Sequence, residues 1–386
     1  TKGTKITASK MKLLHKRDAP LKIFAGGKTI AFVNFNEIPQ KDINRNPSVI
    51  VKSRGNIEFE YYDKPFSHKN EMWSYYSESK YISIKFIYYF LKINEPYFQN
   101  IGSRMQMPQI STPDTENFKI PIPCPDDPKK SLEIQQKIVE ILDTFTQLTA
   151  ELTAELTAEL TARKQQFEYY REELLSFDKN EVPHLPMDDE SLGEFIRGKR
   201  FVKTDILEEG VPTIHYGEMY THYGTWADQT KSFVSRELVD RKKLRLAQKG
   251  DVILVAAGET IEDIGQGTAW LGDEGVVIHD ACFYYKSSLN PKYVAYFTRT
   301  RQFHDQIKKH IRTGKISAIN SKGLGKAIIP IPSPEEQERI VSILDKFDVL
   351  TTSISEGLPK EIELRKHQYE YYRNLLLDFP KEEIEI

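Results

Sequence analysis

The chain has 386 residues, 39% of them hydrophobic and 28% charged, with a formal net charge of −2. A mean hydropathy of −0.52, without an apolar run of membrane-span length, argues against a spanning helix, and the length suits two or three domains. The cysteine content, Cys124 and Cys282 alone, excludes a disulfide scaffold and a cysteine zinc site and fits a reducing cytoplasm.

The chain opens with Thr1, as expected of a sequence processed or truncated at that end, and its first residues are basic and polar, unlike a signal peptide. Stretches 21–35 and 46–62 read as short strands with Gly turns. Ala25-Gly26-Gly27-Lys28-Thr29 lacks the leading Gly of a phosphate loop, since Lys22 stands there, so the Gly pair is read as a tight turn beside a strand. An aromatic helical stretch follows at Tyr81–Leu91, then a loop at 102–112 and a Pro-rich strap, KIPIPCP, at 119–125.

The next stretch organises the rest. Residues 148–163 read LTAELTAELTAELTAR, with Leu148, Leu152, Leu156 and Leu160 four apart. On an α-helix each unit adds slightly more than one turn, about 400° and about 6 Å, so the leucines form a drifting apolar stripe. Such a cassette looks like a spacer of defined length; one ordinary solvated helix is the plainer alternative.

The flanks of the cassette recur. IVEILDTFTQLT (138–149) matches IVSILDKFDVLT (340–351), and RKQQFEYYREELLSF (163–177) matches RKHQYEYYRNLLLDF (365–379), both at a shift of 202 (138 to 340, 163 to 365). The straps also match, with AIIPIPSP at 327–334. Ser333 with Pro334 and Glu336 forms a capping box, and Ser131 stands at the matching place. Each half therefore predicts a helix of about 45 residues, roughly 65–70 Å long if straight. Apolar spacings of three and four predict coiled-coil-like packing, with the two helices antiparallel to each other. Gly357 and Pro359 are expected to kink or break the second helix.

The second half repeats the order of parts: strands at 211–221, 246–260 and 275–285, an aromatic stretch at Pro291–Gln306, a loop at 312–325 and the strap. Segment 286–326 holds ten Lys or Arg and one acid, Asp305, with polar residues between them, a pattern suited to phosphate and base contact. The His215-Tyr216-Gly217 and Tyr220-Thr221-His222-Tyr223 stretches read either as a base-reading loop or as core aromatics. Glu259, Glu262 and Asp263 form an acidic cluster that hints at a metal-dependent nuclease, although a turn is the plainer reading. The nine histidines show no metal-binding spacing, and no cofactor loop or methyltransferase tetrapeptide is present in the sequence.

The duplicated ILD-x-F and EYYR blocks, the IPIP straps and the cassette together resemble the specificity (S) subunit of type I restriction-modification systems. The likeness extends to the type IC group, in which a tandem Thr-Ala-Glu-Leu repeat sits in the central conserved region. RGK (197–199), IHYGEMYT (214–221), KGDVILV (249–255) and GETIED (258–263) resemble that family's target-recognition domains. Nothing before Thr1 matches residues 181–196, so the first such domain is expected to be N-terminally incomplete.

The resemblance implies an α+β fold with two duplicated mixed α/β target-recognition domains separated by two long antiparallel coiled-coil-like helices. The expected boundaries are 1–130 and 181–332 for the recognition domains, and 131–180 and 333–386 for the central and C-terminal spacer helices. It implies a non-catalytic, cytoplasmic bacterial chain that binds double-stranded DNA at an asymmetric bipartite site, with no membrane association. The implied partners are two methyltransferase (M) subunits and two restriction (R) subunits. S-adenosylmethionine, ATP and Mg2+ would reside in those partners, with none bound here.

Candidate DNA contacts are Lys5, Lys28, Arg54, Arg104, Gln106 and Gln109 in the first half. In the second they are Lys199, Arg200, His215, Tyr216, Tyr220, Arg312, Lys315, Asn320 and Lys322. Arg and Lys suit guanine or phosphate, Asn and Gln suit adenine. Tyr169, Tyr170, Arg171, Tyr371, Tyr372 and Arg373 are candidates for subunit docking, with packing between the helices as the alternative. A helical protein-interaction scaffold and a nuclease remain the competing readings.

Overall fold

The computed structural model describes residues 3–103, 107–353 and 356–379; the side chain of Tyr220 also lies outside the description. Residues 1–155 with 362–386 group into one compact unit and 156–361 into another. The predicted spacer segments are therefore shared between the units and form no body of their own.

Unit 1 begins with helix α1 (Ala8–Leu14) and strands β1 (Leu21–Phe24), β2 (Ile30–Val33), β3 (Ser48–Lys52), β4 (Glu58–Tyr62), β5 (Phe66–His68) and β6 (Trp73–Tyr75). Two three-stranded sheets result, ordered β2-β1-β5 and β4-β3-β6. Gly27 turns the β1–β2 hairpin at a φ of 62°, the tight turn expected of the Gly pair. Helices α2 (Ile84–Ile93), α3 (Glu95–Gly102) and α4 (Thr112–Glu116) follow. Phe59, Leu91, Phe98 and Val51 close one core, and Phe86, Tyr89, Ile138, Leu142 and Leu377 another.

Helix α5 runs from Pro128 to Leu174, 47 residues, close to the predicted length. Its alanines, glutamates and leucines are good helix formers, and neither Gly nor Pro interrupts it after the first position.

Unit 2 carries β7 (His184–Pro186), β8 (Gly193–Arg197), β9 (Val211–Ile214), α6 (Glu218–Thr221), β10 (Trp226–Ala227), β11 (Ser232–Val234), α7 (Arg236–Lys242) and β12 (Leu246–Ala247). It continues with β13 (Val252–Val255), β14 (Ala257–Gly258), β15 (Gly267–Trp270), β16 (Val276–Ile278) and β17 (Cys282–Ser287). Helices α8 (Pro291–Phe297) and α9 (Arg301–Lys308), β18 (Ser317–Ala318), α10 (Ser321–Gly325) and β19 (Ile328–Pro330) lead to α11 (Pro334–Thr352) and α12 (Gly357–Leu377). The larger sheets are ordered β10-β15-β13-β17-β8 and β11-β9-β16-β12, and β19 pairs with β7.

The second long helix is broken, as Gly357 and Pro359 predict. Gly357 has φ +77°, and a Cβ there would meet the Val349 and Leu350 carbonyls. Pro359 sits in the first turn of α12, where its missing N–H costs no helical bond.

The helix-start and helix-end blocks pair across copies. In unit 1 the start of α5 packs antiparallel on the end of α12: Phe145 lies on Tyr372 at 5.8 Å, and Thr146 Oγ1 shares a hydrogen bond with the Tyr369 hydroxyl at 2.9 Å. In unit 2 the end of α5 packs on α11, with Phe167 and Tyr170 both stacked on Phe347 at 6.2 and 5.5 Å.

The polar contacts behind these helices are also duplicated. Asp143 accepts from Lys85 Nζ at 2.7 Å and from the Tyr89 hydroxyl at 2.6 Å. Asp345 accepts from Lys292 Nζ at 2.7 Å and from the Tyr296 hydroxyl at 2.8 Å. Buried Gln135 accepts from the Ser83 amide, and buried Gln337 from the Asn290 amide, each at 2.9 Å.

Candidate nucleic-acid interface

Unit 2 holds a wide open groove of about 650 Å3 lined by Phe195, Ile196, Arg197, Arg245, Phe283, Tyr284, Asn320 and Ser321. The alternation of β8 and β17 supplies two walls, and the N-terminus of α10 a third. Arg197 closes β8; its Nε donates to the Asp280 carbonyl at 2.9 Å, and its guanidinium lies over the Phe283 ring at 6.0 Å. Arg245 Nη1 donates to the Arg197 carbonyl at 2.8 Å. Both arginines bond to backbone oxygens, and neither is among the ion pairs of the described residues. Neither guanidinium thus has a carboxylate within ion-pair distance, which suits an anionic backbone.

Asn320 Oδ1 accepts from the Gly323 amide at 2.8 Å and caps α10. That leaves its amide NH2 as the group able to reach outward, a donor-only presentation. Lys322, on α10, is exposed, as are Arg312 and Lys315 in the loop before β18. Lys199 Nζ donates to the Lys242 carbonyl at 3.4 Å, and Arg200 lies one residue further along.

His215 and Tyr216 sit in an aromatic cluster. The His215 ring lies 4.5 Å from Tyr216 and 4.8 Å from His279, and His279 lies 5.1 Å from Phe201. Burial pushes both imidazoles below their ordinary pKa. The His215 amide donates to Glu218 Oε2 at 3.0 Å, which closes the turn into α6. Tyr220 lies on α6.

The basic segment 286–326 is not one surface. Lys292 is tied to Asp345 and lies over Trp226, and Arg299 is half-buried, donating to the Gly267 and Gly224 carbonyls. Burial lowers the Arg299 pKa to about 10. The acidic cluster forms a single 3-10 turn, Ile261–Asp263, with Asp263 accepting from Gln266.

In unit 1, Arg54 and Gln109 face each other in an isolated bridge, and the Gly26 turn that carries Lys28 approaches the Arg54 carbonyl. Lys28, Arg54 and Gln109 thus gather at one end of the unit. Lys5 is exposed. Arg104 and Gln106 lie outside the described residues.

The repeat leucines are not core. Leu148 is 55% exposed, and Leu152, Leu156 and Leu160 are half-buried. Tyr169 and Tyr371 are 62% and 64% exposed. Tyr170 and Tyr372 each touch the facing helix, as described above, Tyr170 half-buried and Tyr372 still 41% exposed. Arg171 lies over Phe167 at 5.6 Å and Arg373 over Tyr369 at 5.5 Å, matching positions again.

Sequence reasoning missed Arg197 and Arg245. Arg197 opens the RGK motif, but only the fold brings Arg245 beside it, across 48 residues.

A family model described as the type I restriction modification DNA specificity domain matches residues 15–162 and 190–364. The type I restriction enzyme EcoR124I/EcoR124II specificity subunit of Escherichia coli is 38% identical over 311 residues, covering 78% of this chain and 72% of that one. A chain solved in work on complex assembly and conformational transition of the type I R-M system matches with TM-score 0.63 at 15% identity, covering 87% of this chain and 82% of that one. The HsdS subunit from Thermoanaerobacter tengcongensis matches with TM-score 0.56 at 15% identity, covering 92% and 89%.

Proposed function

The chain belongs to the type I restriction-modification DNA specificity family, and from that membership we propose that it is the sequence-reading subunit of such a complex. Each unit would read one part of a split, asymmetric site on double-stranded DNA, and the chain itself would carry out no catalysis. The groove bounded by Arg197, Arg245, Tyr284 and Asn320 supports this reading best. Two guanidiniums without carboxylate partners supply phosphate or guanine contacts, and the outward amide of Asn320 supplies a donor for a base edge.

The proposed partners are two methyltransferase subunits and two restriction subunits, which would bring S-adenosylmethionine, ATP and Mg2+. Exposed Tyr169 and Tyr371, at duplicated positions, are the proposed docking anchors. We assign the chain to the type IC group on its Leu-Thr-Ala-Glu cassette and propose that the cassette sets the gap between half-sites. Removing one unit shortens the helix by about 6 Å and turns its end by about 40°. A base pair of B-DNA advances about 3.4 Å and turns roughly 34–36°, so the rotation nearly matches and the translation overshoots by about 3 Å.

The test is to co-express the chain with its methyltransferase subunit and map methylated adenines by single-molecule sequencing. A split motif with a fixed gap is expected. Deleting four residues within 149–160 is expected to shorten the gap by one base pair and leave both half-sites unchanged. A folded, associated pair that methylates nothing would overturn the function. Full methylation at the original gap after the deletion would overturn the spacer role alone.

A further inference from the structure

The groove of unit 2 is furnished with donors. Arg197 uses Nε on the Asp280 carbonyl, which leaves its two Nη groups; Arg245 uses Nη1 on the Arg197 carbonyl, which leaves Nε and Nη2. None of the residues lining the groove is acidic. Tyr284 and Ser321 add hydroxyls, which can donate or accept. The side chain that decides the direction of reading is therefore Asn320, which faces the same space from the α10 side.

An asparagine ordinarily suits adenine because it works both ways, its oxygen accepting from N6 and its NH2 donating to N7. Asn320 has lost the first of these. Its Oδ1 accepts from the Gly323 amide at 2.8 Å. Turning the amide over would set its NH2 hydrogens against the Gly323 N–H, so the orientation is fixed by the backbone. The turn itself is held on every side. The Ile319 amide donates to the Ala256 carbonyl at 2.9 Å, and the Gly323 and Leu324 amides donate to the Asn320 carbonyl at 3.0 and 3.1 Å. Leu324 is fully buried, and at Gly323 a Cβ would press on Ile319 and His310. Asn320 thus presents Nδ2 alone, from a rigid base.

Unit 1 has different chemistry at the matching place. The Ile110 amide donates to the Ser53 carbonyl as Ile319 does to Ala256, and the next residue, Ser111, precedes α4 as Asn320 precedes α10. The Ser111 amide and hydroxyl both donate to Asp114 Oδ2 at 2.6 Å, and Asp114 stands where unit 2 has Gly323. A hydroxyl and a carboxylate there replace the outward amide.

We propose that Asn320 is a specificity-determining residue that reads guanine, and rejects adenine, through the major-groove edge. Guanine shows two adjacent acceptors there, O6 and N7, and no donor, which matches a wall of N–H groups. Adenine would turn its N6 hydrogens onto those of Nδ2, and thymine offers one acceptor beside a methyl group. The major groove is the one wide enough for the paired strands β8 and β17 and for α10. This deepens the DNA-reading proposal and rests on it.

The experiment maps methylation by the chain with its methyltransferase subunit, comparing the unaltered chain with Asn320→Ser and Asn320→Asp. Serine and aspartate are both good helix caps, so α10 keeps its first bond and only the outward amide is lost. In the half-site read by unit 2, one G·C pair is expected to lose about tenfold in preference with Asn320→Ser. Asn320→Asp is expected to shift that position towards cytosine or adenine, whose edges carry amino hydrogens. The other half-site stays as it was. A second measurement needs no altered protein: binding of the unaltered complex to duplexes carrying guanine analogues at each guanine of the site. At one guanine, loss of N7 (7-deazaguanine) or weakening of O6 (6-thioguanine) is expected to lower affinity about tenfold. Inosine, which changes only the minor-groove edge, is expected to bind like guanine. A motif unchanged by both substitutions would overturn the proposal. So would a relaxed position that is an A·T pair, or a guanine sensitive to inosine alone. Each of these leaves a split methylated motif, and with it the DNA-reading role, in place. No split motif with the unaltered chain would instead overturn that role, and this inference with it.

Discussion

Leu142 and Leu344 occupy equivalent places, each fully buried where a helix-start block meets its recognition unit. Around them the two units agree in detail: an aspartate held by a lysine and a tyrosine, a buried glutamine accepting a backbone amide, an aromatic stacked on the facing helix. The outer edges differ. Unit 2 closes its sheet with β8 and its strap with β7, whereas unit 1 leaves β6 outermost and the strap unpaired among the described residues. Inside the helix seam one position also differs. Thr146 hydrogen-bonds the Tyr369 hydroxyl, while its counterpart Asp348 is a half-buried carboxylate whose pKa desolvation raises. The helical seam is the structural device the two units share. The reason is geometric: a seam residue contacts two elements and a wrong size there opens a cavity, while an edge residue contacts one element and water.

The sharpest way to break the comparison is at the seam. Leu344→Ala and Leu142→Ala are each expected to cost about 2–5 kcal/mol, in line with large-to-small changes in packed cores. Urea unfolding followed by segment-resolved hydrogen exchange should show each loss confined to its own unit. If either substitution were silent, the two blocks would not be equivalent in energy.

The next largest effect is expected from the tyrosine hydroxyls. Tyr89→Phe and Tyr296→Phe each remove a hydrogen bond to a carboxylate, worth about 1.5–3 kcal/mol. Equal losses would show that the duplicated polar cluster still does the same work in both units; unequal losses would locate where it has drifted.

Acid should separate the units. Burial lowers the pKa of His215, His279 and His304 in unit 2 and of His68 in unit 1. A depressed imidazole favours the fold fully above its unfolded pKa, about 6.5, and that contribution is lost as pH falls below this towards the folded pKa. Asp280 and Glu218 oppose the shift in unit 2, and Arg200 and Lys203 reinforce it. Unit 2, with two such histidines in contact, is expected to lose more stability than unit 1 between pH 7 and 5. His215→Asn should flatten its profile; an unchanged profile would remove the histidine pair as the cause.

The smallest change concerns binding. Arg245→Ala is expected to reduce the salt slope of DNA affinity by about one, as for loss of a single phosphate contact. In a methylation assay it should weaken the half-site read by unit 2 and leave the other untouched.

Much of this architecture was legible from sequence. A constant shift of 202 between two pairs of blocks required two helices of related length, and helical periodicity of three and four predicted their packing. Gly357 and Pro359 announced the break in the second helix. These signals are local or periodic, and a single chain of residues carries them in full. Charge was less legible. Segment 286–326 looked like one basic surface, yet the fold turned Lys292 and Arg299 inward, because a charge run says nothing about which side of its helix faces the core. The docking candidates differ in burial, with Tyr170 half-buried against Phe347 and Tyr169, Tyr371 and Tyr372 exposed.

The sequence by itself determined the duplication, the long helix and its break, because those depend on spacing and backbone propensity. The antiparallel pairing of the helices, which joins the start of one copy to the end of the other, was also expected, and the contacts of Phe145 with Tyr372 and of Phe167 with Phe347 bear it out. Only the tertiary structure brought Arg245 to Arg197, and it alone turned Lys292 onto Asp345 and Trp226. These are pairings between residues far apart in the chain, fixed by which surfaces can be buried together, and no local pattern encodes them.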